Sequence, residues 1–188
     1  MEAHASSGPY AHRHRSADTR SIGGSLLGAG AISGVAAGMV MALWQMVVGA
    51  IAQEPTAAPG IDSSFWTTVT SIPSVLFGMQ WFHGSFEFWA VALGLIWHLL
   101  NSAILGVVGV TLATSLLGRR PNAIAAIALG IAFGLVLEAV AVNLVVNQIQ
   151  DVNTVYTSAP EWSWWFAHGL FGATLGLIGS ALLRQRPA

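Results

Sequence analysis

The sequence predicts an all-α membrane protein. It reads as a polytopic four-helix bundle built from two parallel helical hairpins, with an interfacial helical loop on its outer side. Three observations carry this. The chain is 54% hydrophobic and 8% charged, with a mean hydropathy of +0.65, which is unlike an ordinary soluble domain. Four apolar segments, at about 26–51, 88–117, 123–148 and 162–183, are long enough to cross a hydrocarbon core, which takes about 20 residues. Small-residue patterns recur in the same order in the two halves.

Composition also narrows the chemistry. Without cysteine the chain itself forms no disulfide, thiolate metal site or iron–sulfur cluster. All seven cations are arginines, and the formal net charge is −1. With no basic cluster beyond short ends, nucleic-acid binding is not expected. There is no GxSxG and no phosphate-binding loop, so no catalytic residue is assigned and the chain leans away from enzymes.

Residues 1–23 are rich in Ser, Ala, His and Arg without apolar periodicity, and read as a mobile cytoplasmic tail whose His4, His12 and His14 are solvated, with weak metal binding as the lesser alternative. The membrane domain spans 24–184, and 185–188 form a short end. The first span carries Gly30, Gly34 and Gly38, a ridge that lets another helix backbone approach. Ala50-Ile51-Ala52 imitates a signal-peptidase site, but the apolar run before it is about twice a usual signal core, so it reads as a true span.

The outer loop, 52–87, opens with turn residues Pro55, Pro59 and Gly60. Its second part, FWTTVTSIPSVLFGMQWFHG, is aromatic but interrupted by Pro73 and Gly78. A pair of helices lying in the interface is expected there. Phe65, Trp66, Phe77, Trp81 and Phe82 would join Trp89, Trp162, Trp164 and Trp165 in an outer aromatic belt.

The second span holds the stretch GLIWHLLNSAILGVVG, in which Gly94, His98, Ser102 and Gly106 fall four apart on one helical face. The fourth span repeats the pattern: His168, Gly172, Gly176 and Gly179 match His98, Ser102, Gly106 and Gly109. The third span carries Gly130, Gly134 and Glu138, matching Gly30, Gly34 and Gly38 one hundred residues earlier. Two hairpins in the same orientation, related by a pseudo-two-fold axis along the membrane normal, follow.

Arginine placement sets the topology. Arg13, Arg15 and Arg20 precede the first span, Arg119 and Arg120 separate the second and third, and Arg184 and Arg186 follow the fourth. The other two loops carry Glu54, Asp62, Glu87, Asp151 and Glu161 and no arginine. Both termini are therefore expected in the cytoplasm.

Three ionisable residues fall at similar depth. At the usual helical rise, His98 lies roughly 14 Å beyond Trp89, His168 roughly 9 Å beyond Trp162, and Glu138 roughly 15 Å before Gln148. Each stands on a small-residue face, where helices pack. A charged carboxylate facing lipid is costly, so Glu138 is expected to be buried against the two histidines, with Asn101, Asn143, Gln45 and Ser102 around them.

Several roles suit this set. His98, Glu138 and His168 form a ligand set for iron, zinc or manganese, with His83 from the outer loop as a fourth donor. His98 and His168 could instead hold haem b, though no outer arginine is present to pair its propionates. A His–Glu pair also handles protons near neutral pH, but the inner half of every span offers only hydroxyls. The plainest role is a hydrogen-bond cluster that fixes helix register, at about 0.6–2 kcal/mol per bond. The expectation preferred from the residues is a non-catalytic accessory or assembly subunit of a larger membrane complex, or a homo-oligomer, in the lipid bilayer.

The phrases GVAAGMVMALWQMV, FWTTVTSIP, HLLNSAILG and AHGLFGATLGLI resemble a group of small four-span bacterial membrane proteins of unassigned function. The resemblance covers most of residues 30–180. It implies the four-span fold and a bacterial inner-membrane location, and carries over no catalytic residue.

Overall fold

A computed structural model describes residues 11–56, 58–141 and 153–185, with side chains omitted for 11–25, 153 and 154. In chain order the elements are α1 (Ala11–Ala52), α2 (Thr67–Phe77), a 3₁₀ turn (Met79–Trp81), α3 (Phe88–Leu117), α4 (Ala123–Val140), α5 (Asn153–Tyr156) and α6 (Glu161–Arg184). No strand occurs among the described residues.

Four of these helices are long and apolar enough to cross a membrane: Leu26–Ala52 within α1, α3, α4 and α6. They are compatible with an integral membrane protein. Their outward faces agree, since large apolar residues such as Ile32, Leu43, Ile96, Val136 and Ile124 are exposed. So many bare apolar side chains suit acyl chains and would be a liability in water.

The long helices close on one another through small residues. A side chain at Gly34 would run into the carbonyl of Ser102 and the backbone of Gly106, so α1 and α3 meet backbone to backbone. On the other side Gly130 and Gly134 of α4 meet Gly172 and His168 of α6 in the same way. Between the two pairs, α1 packs on α6. There Ala29, Ala37, Met41, Val110, Ala167, Phe171 and Leu175 form the central apolar core.

Caps fix where the spans begin. The Glu87 carboxylate accepts from the N–H groups of Trp89 and Ala90 at 2.9 and 3.4 Å, a favourable use of an anion at a helix N-terminus. Asn122 accepts from the N–H of Ile124 at 2.8 Å. Gly118, at φ +84°, ends α3 in a conformation that side-chain-bearing residues avoid.

Two local expectations change. The helix of α1 starts at Ala11, inside the stretch read as an irregular tail. Residues 11–20 contain neither Gly nor Pro, so a helix already held in the span extends into them at small cost per residue. The outer loop forms one helix and one 3₁₀ turn, not a helix pair, because Gly78 (φ +98°) breaks the run after Phe77. Nor does α2 lie flat on the outer surface. Thr67–Ser71, Pro73 and Ser74 are buried, and Gly94 of α3 leaves room for the carbonyl of Val69.

Candidate functional site

The site forms where α2 and α5 close over the C-terminal end of α1 and the N-terminal ends of α3 and α6. On α4, Glu138 occupies the helix position one turn beyond Gly134, facing α6, and is fully buried. Its Oε2 lies 2.9 Å from His168 Nδ1 and accepts from the Tyr156 hydroxyl at 3.3 Å. His168 Nδ1 also faces the Trp164 carbonyl at 3.0 Å. A nitrogen between two acceptors must carry hydrogen, so the tautomer of His168 is fixed as Nδ1–H. The other carboxylate oxygen of Glu138, Oε1, has no hydrogen-bond partner among the described residues.

His98 is arranged differently. Its Nε2 stands 2.9 Å from the carbonyl of Gly38, which can only accept, so Nε2 donates. Ser102 Oγ in turn donates to the His98 carbonyl at 2.8 Å. A Cβ at Gly38 would run into the Ser102 side chain and come into ordinary contact, at 3.5 Å, with His98 Nε2.

Tyr156 is brought in by α5. Its ring lies against that of Trp164, centroids 5.0 Å apart, and its carbonyl accepts from Trp164 Nε1 at 3.0 Å. Burial first, and the neighbouring Glu138 charge second, push the Tyr156 phenol well above the usual tyrosine range. It therefore stays a donor to the carboxylate. Nearby, the hydroxyls of Ser158 and Thr68 meet at 3.2 Å and tie the turn before α6 to α2.

Next to this group lies a cavity of about 320 Å³. His98, His168, Gln45, Thr68 and Tyr156 contribute polar surface, and Met41, Met46, Val69, Ile72, Leu95 and Trp164 are among its apolar walls. Gln45 is 1% exposed. Its side-chain amide meets Ser163 Oγ at 2.9 Å, a hydroxyl that also donates to the Pro160 carbonyl at 2.6 Å, and the other end of the amide has no partner among the described residues.

The structure thus brings Glu138 and His168 into contact and places both histidines on one cavity, but it turns His98 to Gly38 and not to the carboxylate. Among the described residues no three His, Asp or Glu side chains are grouped so as to hold a metal ion. His83 is bound through its backbone to Thr70 and does not line the cavity. Asn101 is exposed and donates to its own helix, at the Trp97 carbonyl. Asn143, Gln148 and His4 lie outside the described residues, as do the side chains of His12 and His14.

Of the aromatic residues expected in an outer belt, Trp89 and Trp162 are 64% and 60% exposed, whereas Trp164 and Phe82 are buried. Trp164 turns inward because its indole N–H has a partner there, the Tyr156 carbonyl. Tyr156, Ser163 and Thr68 were not indicated by the sequence. They sit in loops or at helix starts without periodicity, and only the clustering of hydroxyl residues in the two outer loops hinted at them.

Toward the other end of the bundle the hydroxyls are used locally. Ser33, Thr114 and Ser180 each donate to a carbonyl of their own helix. Compared with known families, curated proteins and solved structures, the chain matches none.

Proposed function

We propose that this chain is a multi-pass protein of the bacterial inner membrane, both termini cytoplasmic, that holds a lipid-soluble small molecule in its outer-half cavity without reacting with it. The observation that carries the reading is the cavity itself. Its volume of about 320 Å³ falls at the lower end of ligand pockets, roughly 300–1,000 Å³, and its mix of apolar wall and few polar groups is theirs as well. Haem or metal ligation through His98 Nε2 would first require the Gly38 bond to break. A bound organic molecule requires no rearrangement.

The topology is supported by position as well as by charge. Arg184 donates to the Pro121 carbonyl at 3.4 Å, so the arginine-bearing turn and the end of α6 share one side of the bundle. The duplicated-hairpin reading gains support from equivalent pairings. His98 meets Gly38 in one half and His168 meets Glu138 in the other, positions that correspond at offsets of seventy and one hundred residues.

The test is extraction of detergent-purified protein with organic solvent, followed by mass spectrometry. A lipid-soluble compound near equimolar with the chain is expected, and it should be depleted in Ala42→Phe and in Val75→Trp, which fill the cavity from α1 and from α2. Equal amounts in folded variants and wild type would overturn the reading, as would an extract holding only bulk phospholipid and detergent.

A further inference from the structure

We infer that a second copy of this chain packs on the outward face of α3, the two copies parallel and joined near the middle of the membrane by Asn101 meeting Asn101. This goes beyond the binding role proposed above and does not depend on it.

The face is regular. Trp97, Asn101, Ile104, Val108, Thr111 and Ser115 recur at alternating intervals of four and three residues, and all six are exposed. On the opposite side of the helix, Ser102, Gly106 and Gly109 are turned into the bundle. Alternation of four and three keeps one stripe against a partner helix that crosses it, left-handed, at about 20°. The stripe can therefore serve as a continuous seam, with the branched Ile104 and Val108 at its centre.

Asn101 is the sign that this face is covered. It lies thirteen residues past Phe88 in the 30-residue α3, roughly 20 Å along the helix and near the middle of the hydrocarbon core. Water does not satisfy polar groups at that depth, so an amide turned to lipid is costly. Its Nδ2 donates to the Trp97 carbonyl at 3.1 Å, and because a carbonyl only accepts, that contact fixes which end of the amide is nitrogen. The second N–H and the Oδ1 have no partner among the described residues. The other three spans show no such group. Among the described residues, their exposed positions between the helix ends, such as Ile32, Leu43, Ile131, Val136 and Leu177, are apolar or aromatic.

The occupant is a second copy for two reasons. An amide with one free donor and one free acceptor is its own complement: across a two-fold axis each Asn101 gives its second N–H to the Oδ1 of the other, and neither is left unpaired. Copies of one chain also insert the same way round, which sets their Asn101 side chains at equal depth. A different protein would need its own polar group at that depth and in that register. The six seam residues carry no charge, so nothing drives two copies apart. A single Asn on such a seam also fixes register and the number of strands. Trp97 and Asn101 line the cavity as well, so the rival occupant of the amide is a molecule held there.

The experiment uses the full chain, which lacks cysteine and so accepts single reporters. Donor- and acceptor-labelled copies, each labelled at an appended C-terminal cysteine, are reconstituted in vesicles of phosphatidylethanolamine and phosphatidylglycerol. Energy transfer is followed against the protein-to-lipid ratio.

Wild type should self-associate. Asn101→Leu should need an about ten-fold higher ratio for half-association, as the loss of two hydrogen bonds in a membrane allows. Asn101→Gln keeps a donor and an acceptor and should stay close to wild type. Since Asn101 faces outward, Asn101→Leu should resist unfolding in micelles as well as wild type does. In the membranes of expressing cells, oxidation should cross-link Ile104→Cys and Val108→Cys but not Val136→Cys on α4. A wild type that stays monomeric at every ratio, association undiminished in Asn101→Leu, or cross-linking favoured at Val136→Cys overturns the interface. So does an Asn101→Leu variant that loses the compound extracted from wild type while associating normally, since the amide then serves the cavity.

Discussion

Replacing Gly172 by alanine tests how the second pair of helices is held together. A Cβ at this position would lie 2.5 Å from the Gly130 carbonyl carbon and 3.0 Å from the Ile131 nitrogen, and closer still to the Gly130 oxygen. All three are backbone atoms of α4, so no side chain can turn away to make room. Ordinary contact begins near 3.4 Å, so α4 and α6 must part by about 1 Å in a close-packed interior. Overpacking of this kind costs about 1–3 kcal/mol. Alanine returns up to about 1 kcal/mol through its better helix propensity, so a net loss of about 1–2 kcal/mol is expected.

Gly169, one turn earlier on the same helix, is the control. A Cβ there meets only Leu135 Cδ2 at 3.9 Å, so Gly169→Ala should be neutral or stabilising by up to about 1 kcal/mol. The assay is reversible unfolding in mixed micelles of mild detergent and dodecyl sulfate, followed by tryptophan fluorescence. Equal effects of the two substitutions, or a stabilised Gly172→Ala, would refute the backbone-to-backbone packing of α4 on α6.

Two further predictions concern the buried carboxylate and its donor. Glu138→Leu leaves the Tyr156 hydroxyl buried without its acceptor and should cost about 1–3 kcal/mol, whereas Glu138→Gln keeps an acceptor oxygen and should cost less; the same micellar unfolding assay ranks them. The raised ionisation of Tyr156 predicts alkaline sensitivity. Because its folded-state value lies above the unfolded one, the associated stability is complete below the ordinary tyrosine value of 10.0 and is lost as pH rises from there toward the folded value. Stability measured against alkaline pH should therefore fall less steeply in Tyr156→Phe, and phenolate absorbance of folded wild type should show one tyrosine resisting ionisation; identical slopes in the two proteins would contradict the assignment.

Much of the bundle was legible because it depends on single-helix properties. The four spans follow from apolar length, and the Gly34, Gly106, Gly130 and Gly172 contacts follow from small residues recurring on one face. Glu138 was expected to be buried against histidine since lipid does not accept a bare carboxylate, and it meets His168. The sequence did not indicate that His98 would take a backbone acceptor. Gly38 has no side chain, so its carbonyl is open to the imidazole, and a backbone group leaves no mark in a pattern of side chains.

The outer loops mark the limit of that reasoning. Composition made residues 65–82 aromatic and broken, which suits an interfacial segment as well as one wedged into the bundle. Only the folded chain shows α2 buried along Thr67–Ser74 and Trp164 turned inward onto Tyr156. The sequence by itself determined which segments are long and apolar enough to cross a membrane, which end carries the arginines and which faces pack, because periodicity and charge act along one helix at a time. The tertiary structure alone decided the partners of His98, Gln45 and Tyr156 and the existence of the cavity, because those depend on the register between helices and on where two loops come to rest, set by contacts distant in the chain.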